Sequence, residues 1–418
     1  VSNKPQKQSE AAAAVFVITN DDLRRWGVTN IPEALRRVPG IEVARIDANK
    51  WAITSRGFNS RFANKLLVLI DGRSVYTPLF AGVYWDSQDV VLEDVDRIEV
   101  IRGPGGTLWG ANAVNGVINI ITKSAAETQG TLVSLTAGNE VKGIGTVRHG
   151  GRMKNGMDYR VYAKFNSYDS GYNPDGAHDD WRTGQLGFRT DWVKTERDTV
   201  TFQGDYYRGV AGQLVNIPSG PPGPPPTTVI PTVSDTDTDG GNLLFRWSHI
   251  LENNSNFALQ LYYDHVGLDG AVLFEDRDTF DVDFQHHFNW REKHDIVWGF
   301  DYRHTRDNTE NNPTFSLDPS ARSVNLYSTF IQDEYSLRED LRLTAGIKLE
   351  HNDFSGFEYQ PNVRLAWAFD PSQTLWGSVS RAVRTPSRGE HDVQLRLVPP
   401  ADNDPGIPVY AEGNSDYD

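Results

Sequence analysis

The chain has 418 residues, with 41 lysines and arginines against 56 aspartates and glutamates, and its formal net charge is −15 at pH 7. A nucleic-acid partner would favour the opposite sign, so we expect none. The absence of cysteine excludes disulfides, thiolate metal sites and thiol nucleophiles. No run approaches the ~18 consecutive apolar residues of a membrane helix.

Residues 1–125 predict a small α+β domain. The apolar run "VFVIT" is typical of a strand, and Asn20 and Asn30 stand where each would cap a short helix. We expect the first helix to end at Gly27. Five strand-like segments follow, which read "IEVARI", "WAITSRGF", "KLLVLIDG", "DRIEVIRG" and "GVINIIT". Charges in the middle of these strands favour a domain packed inside a polar enclosure over a free-standing globule.

From residue 126 to 418 the chain alternates apolar and polar residues at period two. In "LRLTAGIKLEH" one face is apolar and the other carries Arg342, Lys348 and Glu350. Such runs are about ten residues long, which is the length that a tilted strand needs to cross a bilayer. About thirteen strands are predicted in this region.

The connections between these strands alternate in length. The longer ones are predicted at residues 168–181, 209–240, 267–275, 306–320 and 352–359. Tight turns at one end and long loops at the other are typical of a transmembrane antiparallel β-barrel, whereas a soluble all-β repeat would have shorter strands and no asymmetry. The predicted fold class is therefore mainly β, a transmembrane barrel with an N-terminal α+β domain inside it.

The most distinctive stretch is "RIEVIRGPGGTLWGANAVNGVINIITK", residues 97–123, which places a glycine-rich segment between two strands. No Gly-Lys-Ser/Thr follows the glycines, so a phosphate-binding loop is not predicted. The glycines are expected to permit a tight turn and close packing on the barrel wall. The residues assigned to this hinge and its packing are Arg97, Glu99, Arg102, Gly103, Gly110 and Gly116.

Residues 11–125, above all this stretch, and "SRAVRTPSR" at residues 380–388 resemble the TonB-dependent outer-membrane receptors. The resemblance implies a plug domain inside a barrel in the outer membrane of a Gram-negative bacterium. It implies TonB-coupled import of a scarce nutrient, most often a ferric siderophore. Cobalamin, haem, another metal chelate and a combined transport and signalling role are the alternatives. The implied partners are TonB, the small-molecule substrate and outer-membrane lipid.

Two departures from the family pattern lead to further expectations. Family barrels have 22 strands, and about thirteen are found here, so we expect a fragment that lacks the C-terminal part of the barrel. The TonB box is expected to be absent or reduced to a few residues around Val1 and Ser2. No nucleophile constellation or cofactor motif was found, so we expect neither an enzyme nor a cofactor.

Substrate contacts are predicted on the outer face of the plug. If "IEVARI" runs upward, the turn before Trp51 lies outside, "NSRFAN" lies on the periplasmic side, and "RSVYTPLFAGVYWD" returns to the outer face. Aromatic residues supply contact area and arginine can pair with an anionic chelate. The alternative is that Phe80 and Trp85 only pack the plug against the wall. The predicted contact residues are Trp51, Arg73, Tyr76, Phe80, Tyr84 and Trp85.

The segment "DTDTDG" contains weak calcium candidates, Asp235, Asp237 and Asp239, because it copies the start of an EF-hand loop. Arg246 stands where the bidentate glutamate should fall, so a true EF-hand is not predicted. A looser calcium site in a long outer loop and a solvated acidic loop are the two remaining interpretations.

Overall fold

The computed structural model describes residues 13–57, 59–172, 176, 178–219, 228–253, 255–312, 315–370, 373–397 and 409–414. Val1 and Ser2, where the remnant of the TonB box was expected, lie outside the described residues. Within the described part of the chain, no helix is both long and apolar enough to cross a membrane.

The N-terminal part forms the plug, a small sheet with three short helices. Its elements are β1 (Ala14–Thr19), α1 (Asn20–Trp26), α2 (Ile31–Leu35), β2 (Ile41–Arg45), β3 (Trp51–Ser55), β4 (Leu66–Ile70), β5 (Arg73–Ser74), β6 (Val95–Arg102), α3 (Gly106–Trp109) and β7 (Gly116–Thr122). The sheet has the order β1-β6-β7-β4-β5, and β2 pairs only with β3.

The helix ends follow local capping chemistry. Asn30 caps α2 by accepting a hydrogen bond from the Glu33 backbone, and Gly27 ends α1 in the left-handed conformation at φ 64°, both as predicted. The predicted cap at Asn20 is wrong, because Thr19 caps α1 through a capping box with Asp22. Since Asn20 lies one residue inside the helix, its amide is free to bond across to the Val95 carbonyl at 2.7 Å.

The plug sheet is not a simple meander. β6 pairs antiparallel with both β1 and β7, whereas β4 pairs parallel with β7, with Leu66 opposite Gly116 and Ile70 opposite Ile120. The strands enclose an apolar core, and its fully buried members include Ile18, Leu35, Ile98, Ile118 and Ile120. The parallel pairing fixes which way β4 runs across the barrel.

The rest of the chain forms the wall, one antiparallel sheet of 13 strands in sequence order, which confirms the predicted fold class and strand number. Its strands are β8 (Gly130–Thr136), β9 (Val141–Arg152), β10 (Asp158–Tyr168), β11 (Trp181–Val193), β12 (Asp198–Ser219), β13 (Thr228–Ile250), β14 (Asn256–Asp269), β15 (Phe274–Trp290), β16 (His294–Glu310), β18 (Ala321–Arg338), β19 (Leu341–Asn352), β20 (Gly356–Asp370) and β21 (Gln373–Ser380). The edge strands β8 and β21 do not pair with each other, so the described sheet is open.

Smaller elements lie inside the curve of the wall. They are β17 (Phe315–Leu317), α4 (Arg388–Asp392), β22 (Val393–Leu397) and β23 (Val409–Glu412). The three short strands form a separate sheet in the order β17-β22-β23.

The two faces of the wall differ in chemistry. On β14, Gln260, Tyr262 and Val266 face the plug and are buried, whereas Tyr263 faces outward and is 43% exposed. The outward face carries a band of exposed apolar side chains, among them Phe202, Leu243, Phe280, Phe300, Ile331, Leu349 and Val363. Polar residues inside and apolar residues outside match a barrel that crosses a bilayer.

The wall has two rims. We call the rim at which β10 and β16 end the long-connection rim. The opposite rim, with residues 194–197 and 291–293, is the short-turn rim. The predicted loop at 209–240 is mostly wrong, because β12 and β13 run for 22 and 23 residues and remain paired along their length. Backbone pairing continues there after the apolar alternation stops, so the pattern alone could not place the strand ends.

We expect Gly116→Ala to destabilise the plug by about 1–3 kcal/mol, because overpacking displaces backbone. A Cβ at Gly116 would lie 2.4 Å from the Ile101 carbonyl oxygen. Gly143→Ala in β9 is the matched control, since nothing lies within 4 Å of its Cβ position. The midpoint of denaturant unfolding measures both variants, and equal midpoints would contradict the expectation.

Candidate functional site

Plug carboxylates bind basic side chains on the inner face of the wall. Asp94, directly before β6, is 2% exposed, and its carboxylate lies 2.5 Å from Arg148 Nη1 and 3.6 Å from Arg160 Nε. The segment before β6 thus places a buried carboxylate between two arginines of the wall.

Two more carboxylates repeat this arrangement. Lys164 Nζ lies 2.6 Å from the Asp89 carboxylate. Asp71, which follows the last residue of β4, accepts from Gln203 Nε2 at 2.9 Å and lies 3.8 Å from Arg189 Nη1. Because Arg189 and Gln203 lie toward the short-turn rim, the C-terminal end of β4 points to that rim.

The glycine-rich hinge lies against β19 and β20 of the wall. A Cβ at Gly106 would lie 2.1 Å from Gln360 Oε1, so only glycine fits there unless Gln360 moves. Thr107 Oγ1 donates to the Gln360 carbonyl at 2.9 Å, and the Ala111 amide donates to Glu350 Oε2 at 3.2 Å. Gly110 adopts φ +86°, which lets the chain turn away from the wall.

The other predicted hinge residues act within the plug. Gly103, at φ +110°, donates its amide to the Asn115 carbonyl at 2.9 Å. Arg97 Nε donates to Glu99 at 2.7 Å, and Arg102 Nη1 donates to the Pro39 carbonyl at 2.8 Å. Their part in any hinge motion stays a prediction.

Residues 381–392, which we call the strap, leave the end of β21 and run along the plug. The Asn112 amide donates to the Val383 carbonyl at 2.8 Å, so the strap holds the glycine-rich hinge. The Arg388 amide donates to the Pro78 carbonyl at 2.9 Å and the Gly389 amide to the Leu79 carbonyl at 2.7 Å. The strap therefore joins two plug loops that are distant in sequence.

A buried ionic network anchors the strap to the wall. The Arg388 side chain is 0% exposed and donates to Asp307, to the Pro319 carbonyl and to Asp392, where Nε lies 2.9 Å from Oδ2. Arg322 Nη1 donates to the other oxygen of Asp392 at 2.7 Å. This network was not predicted, although "SRAVRTPSR" contains its central arginine.

Several predicted substrate contacts lie in the plug interior instead. Trp51 and Trp85 belong to the apolar core of the plug, with 7% and 9% exposure. Arg36 and Arg45 lie near the Trp51 ring, with guanidinium carbons 5.5 and 5.7 Å from its centroid. As placed, neither tryptophan presents its ring to solvent.

Tyr84 is buried where the plug meets the wall. With Leu79 it packs against Val266, Leu268 and Leu317, and burial raises the pKa of its phenol well above the ordinary range. These wall residues lie toward the long-connection rim, as was expected for the excursion at residues 73–86.

Phe80 lies at the solvent edge of that cluster. Its ring packs edge-on against Tyr84 at 4.9 Å and against Phe62 at 5.1 Å between centroids. Phe62 is 55% exposed. The expectation that "NSRFAN" lies on the opposite side of the plug is therefore wrong, because β4 runs parallel to β7 and the segment before it lies on the side of Phe80.

Arg73 and Tyr76 face the interior between plug and wall. Burial by itself would lower the pKa of Arg73, but the charges of Asp264 and Asp205 outweigh burial and raise it. Arg73 forms an ion pair with Asp264. Tyr76 lines a cavity of about 130 Å³ together with Tyr262 and Glu350, and burial raises the pKa of its phenol.

The predicted calcium candidates lie on a strand and not in a loop. Asp235, Asp237 and Asp239 belong to β13 and pair with β12 at Gly212, Val210 and Arg208. Extended pairing holds the three side chains on one outward face at spacing two, whereas an EF-hand wraps its loop around the ion. The placement in an acidic outer loop is thus wrong.

The two parts of the chain match two family models. Residues 7–117 match the TonB-dependent Receptor Plug Domain, and residues 128–416 match the TonB dependent receptor-like beta-barrel. The protein therefore belongs to the TonB-dependent receptor family, whose members are outer-membrane proteins of Gram-negative bacteria.

Curated relatives include an iron-regulated outer membrane virulence protein of Vibrio cholerae, 25% identical over 428 residues, which cover 93% of this chain and 59% of that protein. The ferric enterobactin receptor of Pseudomonas aeruginosa is 25% identical over 462 residues, covering 91% and 60%. The vitamin B12 transporter of Vibrio vulnificus is 35% identical over 139 residues, covering 33% and 22%. This chain spans at most about three fifths of these relatives' lengths.

Solved structures show the same fold. The siderophore receptor PirA of Pseudomonas aeruginosa aligns with a TM-score of 0.74 at 20% identity, over 99% of this chain and 70% of that one. A ferric enterobactin receptor mutant of the same species, in complex with enterobactin, aligns with a TM-score of 0.73 at 18% identity, over 97% and 68%.

We expect Asp94→Asn to lower the free energy of opening of the plug by about 3–5 kcal/mol, because it leaves Arg148 and Arg160 without their anion. Asp96→Asn is the matched control, since Asp96 is 39% exposed and pairs only at the surface with Arg97, so its loss costs at most about 1 kcal/mol. Hydrogen exchange of the amides of β6 and β7 measures the difference. Equal exchange in the two variants would show that the buried pair does not hold the plug.

Proposed function

We propose that this protein is an outer-membrane receptor and transporter that imports a ferric siderophore with energy from TonB. The observation that carries the proposal is the coverage of its relatives. The iron-regulated protein and the ferric enterobactin receptor match over 91% or more of this chain, whereas the vitamin B12 transporter matches over 33%. Cobalamin is the second candidate, because identity to that transporter is higher where it matches, at 35%.

The described interior favours gated import over passive diffusion. Ion pairs of Asp71, Asp89 and Asp94 hold the plug against the wall, and the strap holds it on the other side. A passive pore has no use for a domain fastened in this way.

Substrate contact is proposed at the exposed aromatic edge of the plug. Phe62 presents its ring to solvent at the long-connection side, and Arg61 lies near it, with the guanidinium carbon 5.6 Å from the ring centroid. The Phe80 ring packs edge-on against the Phe62 ring. An aromatic face beside a cation suits an anionic, aromatic metal chelate.

Uptake of two labelled probes tests the proposed function. Cells that lack their own siderophore and cobalamin receptors, and produce the full-length form of this receptor, would receive ⁵⁵Fe-enterobactin or ⁵⁷Co-cyanocobalamin. We expect iron to accumulate only when TonB is present. Accumulation of cobalt would favour the second candidate, and uptake that persists without TonB would contradict energised import.

We expect Phe62→Ala to weaken binding of ferric enterobactin about tenfold, because a bound chelate would cover the Phe62 ring and make it an aromatic anchor of the interface. Phe357→Ala is the matched control, because Phe357 is 85% exposed on the wall and belongs to no plug surface. Quenching of intrinsic fluorescence in the purified protein measures affinity. Unchanged affinity in Phe62→Ala would move the contact away from this edge.

A further inference from the structure

Four side chains on the outward face of the wall converge around one glycine. Asp239 lies on β13, His265 on β14, and Asp276 and Asp278 on β15. The strand register places Gly267 between Asp239 and Asp276, and His265 directly opposite Asp278. We call these four residues the outer cluster.

We propose that the outer cluster binds one divalent transition-metal ion, such as Zn²⁺, on the outside of the wall. One donor atom each from His265, Asp276 and Asp278 lies within 4.8 Å of the others. His265 Nδ1 lies 3.0 Å from Asp278 Oδ1, and His265 Nε2 lies 4.0 Å from Asp239 Oδ2. Rotation of exposed side chains brings such donors to the ~2.0–2.2 Å bonds that zinc forms with nitrogen and oxygen.

Gly267 creates the space at the centre of the outer cluster. A Cβ at this position would lie 2.9 Å from Asp239 Oδ1, so the carboxylate lies over the strand only because residue 267 has no side chain. Three strands thereby direct their donors into one gap on a rigid sheet, which is a better scaffold for a metal than a mobile loop.

The electrostatics of the outer cluster favour a cation. Among the described residues, Asp239, Asp276 and Asp278 form no ion pair with arginine or lysine. Their one ion-pair partner within 4.0 Å is His265, and the Tyr263 hydroxyl donates to Asp278 Oδ1 at 2.5 Å. Arg208 and Arg306 lie opposite Asp239 and Asp278 on the flanking strands without reaching ion-pair distance. Three carboxylates close together repel one another unless a cation lies between them.

The donor set selects the class of ion. Carboxylates alone suit Ca²⁺ and Mg²⁺, whereas an imidazole nitrogen suits zinc and its neighbours in the first transition row. The outer cluster combines both donor types in the proportion of one nitrogen to three carboxylates. It differs from the EF-hand-like interpretation of "DTDTDG", because only Asp239 of that segment takes part.

Metal titration of the purified protein in detergent, after removal of bound metal with a chelator, tests this proposal. Competition with a chromophoric zinc indicator should show one site per chain, and Ca²⁺ should bind at least tenfold more weakly. His265→Ala and Asp276→Asn should each weaken zinc binding at least tenfold. Gly267→Ala should weaken it as well, because the new methyl group displaces the Asp239 carboxylate.

His249→Ala is the matched control. His249 also lies on the wall and contacts a carboxylate, Asp198, at 2.7 Å, but no second carboxylate of the described residues lies within ion-pair distance of it. It should bind zinc as the unaltered protein does. Zinc affinity that is unchanged in His265→Ala, or reduced equally in His249→Ala, would overturn the proposal. Electrophoretic mobility of the unheated protein confirms that each variant is folded.

Discussion

Buried charge on the inner face of the wall is the constraint on which the structure depends. Arg160, Lys164 and Arg189 are buried between the wall and the plug, and the Arg148 side chain is 11% exposed. An unpaired charge there costs several kcal/mol, so each needs an anion nearby. The plug supplies Asp94 to Arg148 and Asp89 to Lys164. Arg189 bonds Asp191 of the wall at 2.8 Å and has Asp71 of the plug 3.8 Å away. These contacts hold the plug in one orientation.

On the opposite side of the plug a buried charge also needs a partner, but there the wall supplies an anion and the strap supplies the cation. There a strap arginine, Arg388, enters a buried site whose anions are Asp307, from the wall, and Asp392, from the strap's own helix α4. The strap in turn supplies backbone amides to Pro78 and Leu79. Charge pairing and backbone pairing thus fix two faces of the plug independently.

Much of this fold could be predicted from the sequence, because period-two alternation directly reports which strand residues face lipid and which face the lumen. The direction of β4 could not, since parallel pairing with β7 depends on a partner some 50 residues away. That single pairing is the reason that Phe62 was assigned to the wrong side.

The candidate site was harder to predict for a related reason. Trp51 and Trp85 are aromatic residues in a loop-rich region, and nothing local distinguishes a buried ring from one that meets a ligand. Asp71 did carry a signal, because it directly follows the apolar run of β4. The charges chosen instead, Arg97 and Glu99, pair with each other along β6.

The ion pairs between plug and wall and the backbone hydrogen bonds between plug and strap would respond differently to a force on the plug. Side-chain ion pairs such as Lys164 with Asp89 can exchange partners with incoming water one at a time as the plug shifts. The amides of Arg388 and Gly389 leave Pro78 and Leu79 together or not at all, because consecutive residues of one rigid segment hold them. We therefore expect a pull on the plug to break its ion pairs with the wall before its backbone contacts with the strap, so that the plug rotates about the strap.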